Sequence, residues 1–424
     1  MDILITGGNG LLGRHLITAL QGRGDSLRVL ALPEEDTRWL RQRGVAVHRG
    51  DVRWPDTLAA PMSGVTAVLH LAGMMGLWRP MQDYRAVNVT GTVNVCRAAL
   101  AEGVSRVVHV SSWTVYGMDL GRPAREDFLL RPFREPYAVT KAEGDLAVQR
   151  MIAEDHLPAV IIRPGTFFGP GDRLHFGRMA DRLRAGKGVI IGRGDNALPF
   201  VYVTDVVQGL LRALDCDHAV GQAYNITNDR PLTQQQVLEA IAHDIGARPP
   251  TVHMPYRALY AVGGAAERAS QFTNSQRQPI VTRLGVKLFG TDNRHAIDKA
   301  QRELGYRPQV TIRDGIRLAA AWYEAQSDPH STPSAVAEGL TALCGPALPG
   351  RHQYTPRAPR SRRQLSRSSW LEDCWRAAVL RAWPCAASTS RITHTSSTIT
   401  RARVKRSCAI RSDASACGRR PKVR

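Results

Sequence analysis

The glycine-rich turn near the N-terminus is the feature that most constrains the fold. The apolar segment Met1–Thr6 runs directly into Gly7-Gly8-Asn9-Gly10-Leu11-Leu12-Gly13, and a helical pattern follows to about Gln21. Gly7 permits a tight turn, Gly10 lets the backbone approach a pyrophosphate, and Gly13 lets helix and strand pack closely. The helix start at Leu11 and Leu12 supplies free N–H groups and a positive dipole. This order predicts a dinucleotide-binding unit with NAD or NADP as cofactor.

Short apolar segments alternate with helical patterns through the first half of the chain. Further strands are predicted at Arg28–Leu32, Val45–Arg49, Ala67–Leu71, Val107–Ser111 and Ala159–Arg163, and helices at Asp36–Arg43, Met81–Glu102 and Pro136–Asp155. This alternation predicts an α/β fold, a doubly wound parallel sheet of Rossmann type. We expect an NAD(P)-binding domain at 1–164 and a smaller mixed substrate lobe at 165–325, interleaved with the first.

The charge separates a C-terminal tail from the rest of the chain. Residues 326–424 hold 18 basic and 5 acidic residues, so that residues 1–325 keep only +7 of the net +20. The tail is rich in Arg, Ser, Thr, Ala and Pro, which predicts a disordered, low-complexity segment. Two interpretations stay open: a basic arm that binds nucleic acid nonspecifically, or an unevolved extension read out of frame from GC-rich DNA.

Bulk features exclude several classes of protein. No segment approaches the run of about 20 apolar residues that spans a bilayer, and no secretory leader is recognisable, which predicts a cytoplasmic protein. Within residues 1–325 only Cys96 and Cys216 occur, both in apolar helical contexts. They are interpreted as small buried thiols, with neither a disulfide nor a metal site.

The end of the second predicted strand does not decide between NAD and NADP. An acid there would bind the ribose 2′-hydroxyl and an arginine would accommodate a 2′-phosphate. The strand ends Ala31-Leu32-Pro33, with neither residue type, while acidic and basic side chains both lie nearby (Glu34, Glu35, Arg28 and Arg38).

Tyr137 and Lys141 lie four residues apart on a predicted helix, which places both on one face. A phenol has an ordinary pKa near 10, and a neighbouring ammonium is expected to lower it. Such a tyrosine exchanges a proton with a carbonyl or hydroxyl while hydride moves to or from a nicotinamide.

Two further polar residues strengthen this interpretation. Ser112 follows a buried strand, at the edge where open α/β sheets bind ligands, and would polarise the substrate oxygen. Asn88 is polar on an otherwise apolar helix and would hold the active-site helix or a proton-relay water. The predicted catalytic set is therefore Ser112, Tyr137, Lys141 and Asn88.

At this point the sequence resembles the extended short-chain dehydrogenase/reductase family, also called the NAD-dependent epimerase/dehydratase superfamily. The matching motifs cover about residues 1–323 in the family's order: Gly7–Gly13, Gly50-Asp51-Val52, His70-Leu71-Ala72-Gly73, Asn88, Ser111-Ser112, Tyr137–Lys141, Arg163-Pro164-Gly165 and Phe200–Val206.

The resemblance implies roles for residues that the spacing alone leaves open. Asp51 and Val52 would lie near the adenine, and Leu71, Ala72 and Gly73 would line the dinucleotide. Pro164 and Gly165 are carried over with the cofactor set, to which Asn88, Tyr137 and Lys141 also belong. The family also implies a homodimer built on two long helices, at about 87–100 and 137–150.

Departures from the family's motifs narrow the activity. Sugar-nucleotide dehydratases carry Thr-Asp-Glu where this chain has Ser112-Trp113-Thr114, so that the acid and base for eliminating water are missing. Epimerases carry an Asn and an Arg that hold the nucleotide diphosphate, where this chain has Pro164-Gly165-Thr166 and Leu198-Pro199. Losing an arginine at a phosphate site argues against a nucleotide-sugar substrate.

Other segments resemble the 3β-hydroxysteroid dehydrogenase branch. These are Pro279–Arg283, Lys299–Pro308, and Arg163-Pro164 followed by Gly169-Pro170-Gly171-Asp172. The loop Met74-Met75-Gly76-Leu77-Trp78 has side chains that suit an apolar ligand, although core packing would use the same residues.

We therefore expect an NAD(P)-dependent oxidoreductase that interconverts a secondary alcohol and a ketone on an apolar small molecule. Two alternatives remain: a sugar-nucleotide 4-epimerase, and an NAD(P)-sensing, nucleic-acid-associated protein. The intact Ser112, Tyr137 and Lys141 argue against the second alternative, and no nucleic-acid partner is expected beyond nonspecific contact with the tail.

Overall fold

A computed structural model of the chain describes residues 1–76, 78–273 and 279–327. The predicted tail therefore lies outside the described residues, apart from its first two positions. The strands are β1 Asp2–Thr6, β2 Ser26–Ala31, β3 Ala46–Arg49, β4 Ala67–His70, β5 Arg106–Val110, β6 Ala159–Pro164, β7 Thr166–Phe168, β8 Ile190–Ile191, β9 Phe200–Tyr202, β10 Ala223–Ile226 and β11 His253–Met254.

The helices are α1 Leu11–Gly22, α2 Arg38–Gln42, α3 Ala59–Met62, α4 Met81–Arg85, α5 Thr92–Ala101, α6 Pro136–Asp155, α7 Phe176–Arg184, α8 Val203–Asp215, α9 Gln234–Asp244, α10 Tyr256–Phe272, α11 Arg283–Gly290, α12 Asp298–Glu303 and α13 Ile312–Ser327. None of these described helices is long and apolar enough to cross a lipid bilayer.

Seven parallel strands of the described residues form one sheet, in the order β10-β6-β5-β4-β1-β2-β3. The chain builds β1, β2 and β3 outward in one direction, then returns to place β4 on the other side of β1. The junction between β1 and β4 is therefore the point where the strand order reverses, which is where doubly wound sheets bind ligands. The predicted α/β, doubly wound fold is confirmed.

The central strands explain why the sequence shows apolar runs instead of alternation. Every residue of β4, β5 and β6 is buried, because helices cover both faces of the sheet. On one face α1 contributes Leu12, Leu16, Ile17 and Leu20 to the core. On the other face α5 contributes Val95, Cys96 and Ala99.

The active-site helix α6 has the bounds that the sequence predicts, from Pro136 to Asp155. Its start is well specified, because the Glu135 side chain accepts a hydrogen bond from the Ala138 N–H and Pro136 occupies the first helical position. It ends at His156, which adopts the left-handed conformation with φ of 53°.

The predicted helix over Met81–Glu102 differs from the structure. It is divided into α4, a π-helical segment at Ala86–Gly91, and α5. The π segment contains Asn88, and such bulges are frequent at functional sites because they turn a side chain out of the regular helical register.

The chain beyond residue 164 contributes to both parts of the fold. Strand β10 pairs with β6 at the edge of the main sheet. The other strands form the two small pairs β7–β9 and β8–β11, and a separate core gathers around Phe168, Phe176, Phe200 and Tyr202. The boundary between an NAD(P)-binding domain and a substrate lobe at residues 164 and 165 stays a prediction.

Candidate active site

The glycine turn after β1 has the geometry that a dinucleotide phosphate requires. Gly7 has φ of +71°, and the Gly10 N–H donates to the Gly7 carbonyl at 3.2 Å. A Cβ added at Gly13 would lie 2.5 Å from the Gly8 carbonyl oxygen, so only glycine allows this packing of helix against turn. No side chain caps α1, which leaves the N–H groups at Leu11 and Leu12 for a ligand. These residues fit a pyrophosphate.

The other predicted cofactor residues gather at the same edge of the sheet. Leu71, Ala72 and Gly73 follow β4, directly beside the end of β1. The Ala72 N–H donates to Thr6 Oγ1 at 3.2 Å, which ties the two strand ends together. A Cβ at Gly73 would lie 3.3 Å from Asn88 Oδ1 and 3.8 Å from Lys141 Nζ, so this short segment connects the cofactor turn to the catalytic set.

Asp51 and Val52 follow β3, farther along the edge. Burial by itself would raise the pKa of Asp51, but the hydrogen bonds and charge of Arg53 hold that pKa below its ordinary value. Val52 is buried against Gly91, where an added Cβ would lie 2.6 Å from Val52 Cγ2. The structure places both residues just after β3, and their contact with the adenine of the cofactor stays a prediction.

Pro164 and Gly165 lie where β6 ends and β7 begins. A Cβ at Gly165 would lie only 2.4 Å from the Pro199 carbonyl oxygen and 2.8 Å from Thr227 Oγ1. Gly165 is therefore required for close packing of three segments, in addition to any contact with a cofactor.

The second-strand end keeps the balance of charge that the sequence shows. Arg38 pairs with Asp36, and Arg49 donates to the backbone carbonyls of Leu32 and Glu35. Leu32 itself is 40% exposed. Arg38 is thus engaged by a carboxylate and Arg49 by backbone carbonyls, so this strand end favours neither NAD nor NADP.

The structure brings Ser112 and Tyr137 together. Ser112 follows β5, accepts a hydrogen bond from the Thr114 N–H at 3.2 Å, and lies beside the Tyr137 phenol. Burial raises the pKa of Tyr137 to about 12, with Glu135 and Tyr84 acting in the same direction and the Ser112 hydroxyl acting against them. The phenol is therefore protonated at neutral pH.

Lys141 lies one turn further along α6 but does not lower the pKa of Tyr137 as expected. Its Nζ donates to the Val110 carbonyl at 2.6 Å, at the end of β5. Burial lowers the pKa of Lys141 to about 8, against the charge of Asp145, which raises it. In this arrangement the ammonium is held at the sheet edge beside Gly73.

Asn88 fastens three segments of the site. Its side-chain oxygen accepts from the Met74 N–H at 2.7 Å, and its amide donates to the Met74 carbonyl at 3.1 Å and to Thr140 Oγ1 at 3.0 Å. The side chain therefore joins the loop after β4 to α6, which matches the helix-holding role that the sequence suggested. Of the rest of that loop, Met75 is 36% exposed, and Leu77 lies outside the described residues.

A buried ion pair, which the sequence motifs did not indicate, anchors α6. Asp145 accepts two hydrogen bonds from the Arg163 guanidinium, both at 2.9 Å, and one from Ser111 Oγ at 2.5 Å. Arg163 also donates to the Tyr116 hydroxyl at 2.8 Å. Asp145 follows Lys141 by four residues, so this pair fixes the helix that carries Tyr137 and Lys141 against the ends of β5 and β6.

A second buried network links the cofactor turn to Asn88. His70 contacts Thr6 Oγ1 at 2.7 Å through Nδ1 and Thr92 Oγ1 at 3.0 Å through Nε2, and Thr92 donates to the Asn88 carbonyl at 2.9 Å. Burial lowers the pKa of His70 to about 3, with the charge of Lys141 acting in the same direction, so the ring is neutral. The position of His70 in the motif His70-Leu71-Ala72-Gly73 was the only sequence signal for it.

The side chains at the two positions after Ser112 are buried and hydrogen-bonded. Trp113 is buried and its Nε1 donates to Thr166 Oγ1 at 3.1 Å, while the Thr114 and Ser112 hydroxyls lie 2.9 Å apart. Neither Trp113 nor Thr114 ionises near neutral pH, and so neither supplies the acid or base that dehydration needs.

Residues 3–227 match the model of the NAD dependent epimerase/dehydratase family. The chain belongs to this family. It is 32% identical over 331 residues to 2-alkyl-3-oxoalkanoate reductase of Stenotrophomonas maltophilia, an alignment that covers 76% of this chain and 99% of the relative. It is 30% identical over 343 residues to 3beta-hydroxysteroid-dehydrogenase/decarboxylase isoform 1 of Arabidopsis thaliana, covering 74% of this chain and 77% of the relative.

Among solved structures, the chain is similar to dTDP-glucose 4,6-dehydratase of Streptomyces venezuelae, which was solved with NAD bound. The TM-score is 0.61 at 26% identity, and the alignment covers 76% of this chain and 97% of that one. Family membership confirms the predicted resemblance and makes this chain an NAD(P)-dependent oxidoreductase of the extended short-chain type.

Proposed function

We propose that the protein interconverts a secondary alcohol and a ketone on an apolar small molecule, with Ser112, Tyr137 and Lys141 as its catalytic residues. The observation that carries the proposal is the position of the Ser112 hydroxyl against the Tyr137 phenol, at the edge where the glycine turn lies. The two curated relatives named above support it, because one is a 3-oxo reductase and the other a 3β-hydroxysteroid dehydrogenase, and both names describe largely apolar substrates.

Each residue has a distinct part in this chemistry. A bound nicotinamide supplies the hydride or accepts it. Ser112 donates a hydrogen bond to the reacting oxygen and holds it against Tyr137. Tyr137, protonated at neutral pH, gives its proton to that oxygen as a ketone is reduced and becomes a phenolate; in the reverse direction the phenolate form takes the hydroxyl proton and becomes the phenol. Lys141 binds the nicotinamide ribose and places positive charge beneath the site.

The cofactor residues are proposed on the same grounds. The turn residues Gly7, Gly10 and Gly13, with the first N–H groups of α1, would hold the pyrophosphate. The segment at 71–73 would line the dinucleotide, Asp51 and Val52 would lie near the adenine, and Pro164 and Gly165 would close the nicotinamide end. Asn88 is a positioning residue, because its side chain acts through Met74 and Thr140.

Replacing the phenol tests the proton transfer. We expect Tyr137→Phe to lower turnover of a ketone panel by about 10²- to 10⁴-fold, followed as the loss of NADH or NADPH absorbance, while the cofactor dissociation constant stays within about threefold. Tyr323→Phe is the matched control, because that hydroxyl bonds Asp181 on a different part of the surface. Turnover by Tyr137→Phe close to the wild-type value would show that the phenol does not transfer the proton.

The same assay separates the proposal from a sugar-nucleotide 4-epimerase. An epimerase oxidises and re-reduces its substrate with the same groups, so it produces no net change in cofactor absorbance. A dehydrogenase or reductase requires a stoichiometric change. Turnover of UDP-glucose without any absorbance change would favour the epimerase.

We also propose a homodimer that forms through α5 and α6. Leu146, on α6, is a large apolar side chain that is 47% exposed, and it would lie in this interface. Light scattering of Leu146→Glu against the wild type measures the expected shift from dimer to monomer.

A further inference from the structure

A large groove opens beside the N-terminal end of α6. It has a volume of about 1120 Å³ and lies between the loop at 116–134 and the helices α10 and α11. We call it the basic groove. Its apolar wall includes Phe128, Phe133 and Tyr260, and also Leu120 and Leu129, which are 38% and 71% exposed. Pockets for small molecules typically hold about 300–1,000 Å³, so this space is large enough for an extended ligand.

The charge of the groove is strongly one-sided. Six cationic side chains line it, against the single acid Asp127: Arg122, Arg125, Arg131, Arg134, Arg283 and Lys287. Arg283 pairs with Glu267 at 2.6 Å, and Arg125 lies 3.7 Å from Asp298. Within the described residues the other four have no carboxylate within ion-pair distance.

Two of these cations are held on the aromatic wall. The Arg122 guanidinium lies 4.6 Å from the centre of the Phe128 ring, and Lys287 Nζ lies 5.7 Å from the centre of the Phe133 ring. Such contacts fix a cation against an apolar surface while its N–H groups stay available to a ligand. Cationic and apolar surfaces are therefore interleaved along one concave wall.

Four like charges around one cavity repel one another, and a concave wall of low dielectric concentrates their field. An anion bound among them reduces that repulsion. An apolar group bound beside it removes the neighbouring leucine and phenylalanine side chains from water, which is also favourable. We infer that the basic groove binds the anionic end of an amphipathic substrate, one whose apolar body carries a carboxylate or phosphate away from the reacting carbon.

The position of the groove connects it to the chemistry. Arg134 directly precedes Glu135, the cap of the helix that carries Tyr137, and the same carboxyl group of Glu135 lies near Glu267 on α10. The groove therefore adjoins the start of the helix that carries Tyr137, although Tyr137 itself does not line it. That the ligand is the substrate rests on the proposed function, whereas the binding of an amphipathic anion does not.

Calorimetric titration of the full-length protein tests the inference, with decanoate, decyl phosphate and decanol as ligands of equal chain length. We expect both anions to bind about tenfold more tightly than decanol and to weaken as the salt concentration rises. In Arg131→Gln/Arg134→Gln the anion dissociation constants rise by about five- to tenfold, while that of decanol changes less than about twofold. The control Arg182→Gln/Arg212→Gln removes two exposed charges from α7 and α8 and leaves all three constants unchanged.

Comparing decanoate with decyl phosphate identifies which head group the site prefers. Three results overturn the inference. They are no binding of either anion, an equal loss of affinity for decanol and decanoate in Arg131→Gln/Arg134→Gln, and binding of single-stranded oligo-dT in place of the amphipathic anions. Tyr137→Phe keeps its affinity for decanoate if the groove is an independent binding element, so failure of the proposed chemistry and failure of the groove are separate results.

Discussion

At Gly144, a single added methyl group would push the catalytic helix α6 away from the segment that contains Asn88. It lies on α6, three residues after Lys141, where the helix crosses the π-helical segment that holds Asn88. A Cβ at Gly144 would lie 2.4 Å from the Asn88 carbonyl oxygen. This oxygen belongs to the backbone, so no side-chain rotation relieves the contact.

The size of the effect follows from that distance. Ordinary van der Waals separation is about 3.4 Å, so Gly144→Ala must move α6 and the π segment apart by about 1 Å. Overpacking of this kind costs about 1–3 kcal/mol, offset by the gain of about 1 kcal/mol for alanine over glycine within a helix. A displacement of about 1 Å of catalytic groups costs about 10²-fold in rate. We therefore expect a net loss of about 0–2 kcal/mol in the free energy of unfolding, and a fall of about 10²-fold in kcat/KM, which is equivalent to about 2.7 kcal/mol.

Two measurements on each variant check this reasoning: the free energy of unfolding by urea denaturation, and kcat/KM for the ketone that the wild type reduces best. Gly22→Ala is the control, because Gly22 is also helical and a Cβ there meets nothing within 4 Å. We expect Gly22→Ala to keep full activity and to gain about 0.4–1 kcal/mol of stability. If Gly144→Ala behaved like Gly22→Ala, the contact between α6 and Asn88 would have no part in positioning the catalytic groups.

Three further predictions concern charge. Asp145→Asn leaves Arg163 buried without its counter-charge and is expected to lower the free energy of unfolding by about 3–5 kcal/mol. The control Asp195→Asn breaks an exposed ion pair and should change that free energy little. Equal effects of the two substitutions would contradict the role of burial. The pKa of Lys141 is lowered to about 8 in the folded state, so between pH 8 and about 10.5 the unfolded state binds more protons and the wild type becomes more stable as the pH rises. Lys141→Met is expected to be more stable than the wild type by about 3 kcal/mol at pH 7, and this difference should shrink through the same interval. A difference that does not change with pH would mean that Lys141 has an ordinary pKa. Truncation after Gln326 removes a net charge of +13 and is expected to leave turnover and cofactor affinity within about twofold of the values for the full chain. A salt-dependent affinity for DNA that is lost on truncation would instead identify the tail as a nucleic-acid-binding arm.

The parts of the fold that local sequence specifies were predictable. The turn at Gly7–Gly13 and the bounds of α6 depend on residues close together in the chain: glycines at fixed offsets, a capping Glu135 and Pro136 at the first helical position. The buried strands were recognisable as apolar runs, because a parallel sheet covered on both faces needs apolar side chains in both directions.

The interruption of the helix around Asn88 was not predictable from the same kind of pattern. The apolar period of Met81–Glu102 continues across it, and the π-helical turn depends on the bonds from Asn88 to Met74 and Thr140, which lie 14 and 52 residues away. For the same reason the expected lowering of the Tyr137 pKa by Lys141 was wrong, because the spacing on the helix did not reveal that Val110 accepts the Lys141 hydrogen bond.

The sequence by itself determined the α/β fold, the cofactor class and the identity of the residues proposed for catalysis, because each of these is encoded in short motifs whose order along the chain is enough. The tertiary structure alone decided how those motifs are held: the Asp145–Arg163 pair that anchors α6, the single glycine that α6 needs to approach Asn88, and the convergence of Arg122, Arg131, Arg134 and Lys287 on one groove. Burial, close approach and local charge density depend on segments far apart in the chain, and they exist only once the chain has folded.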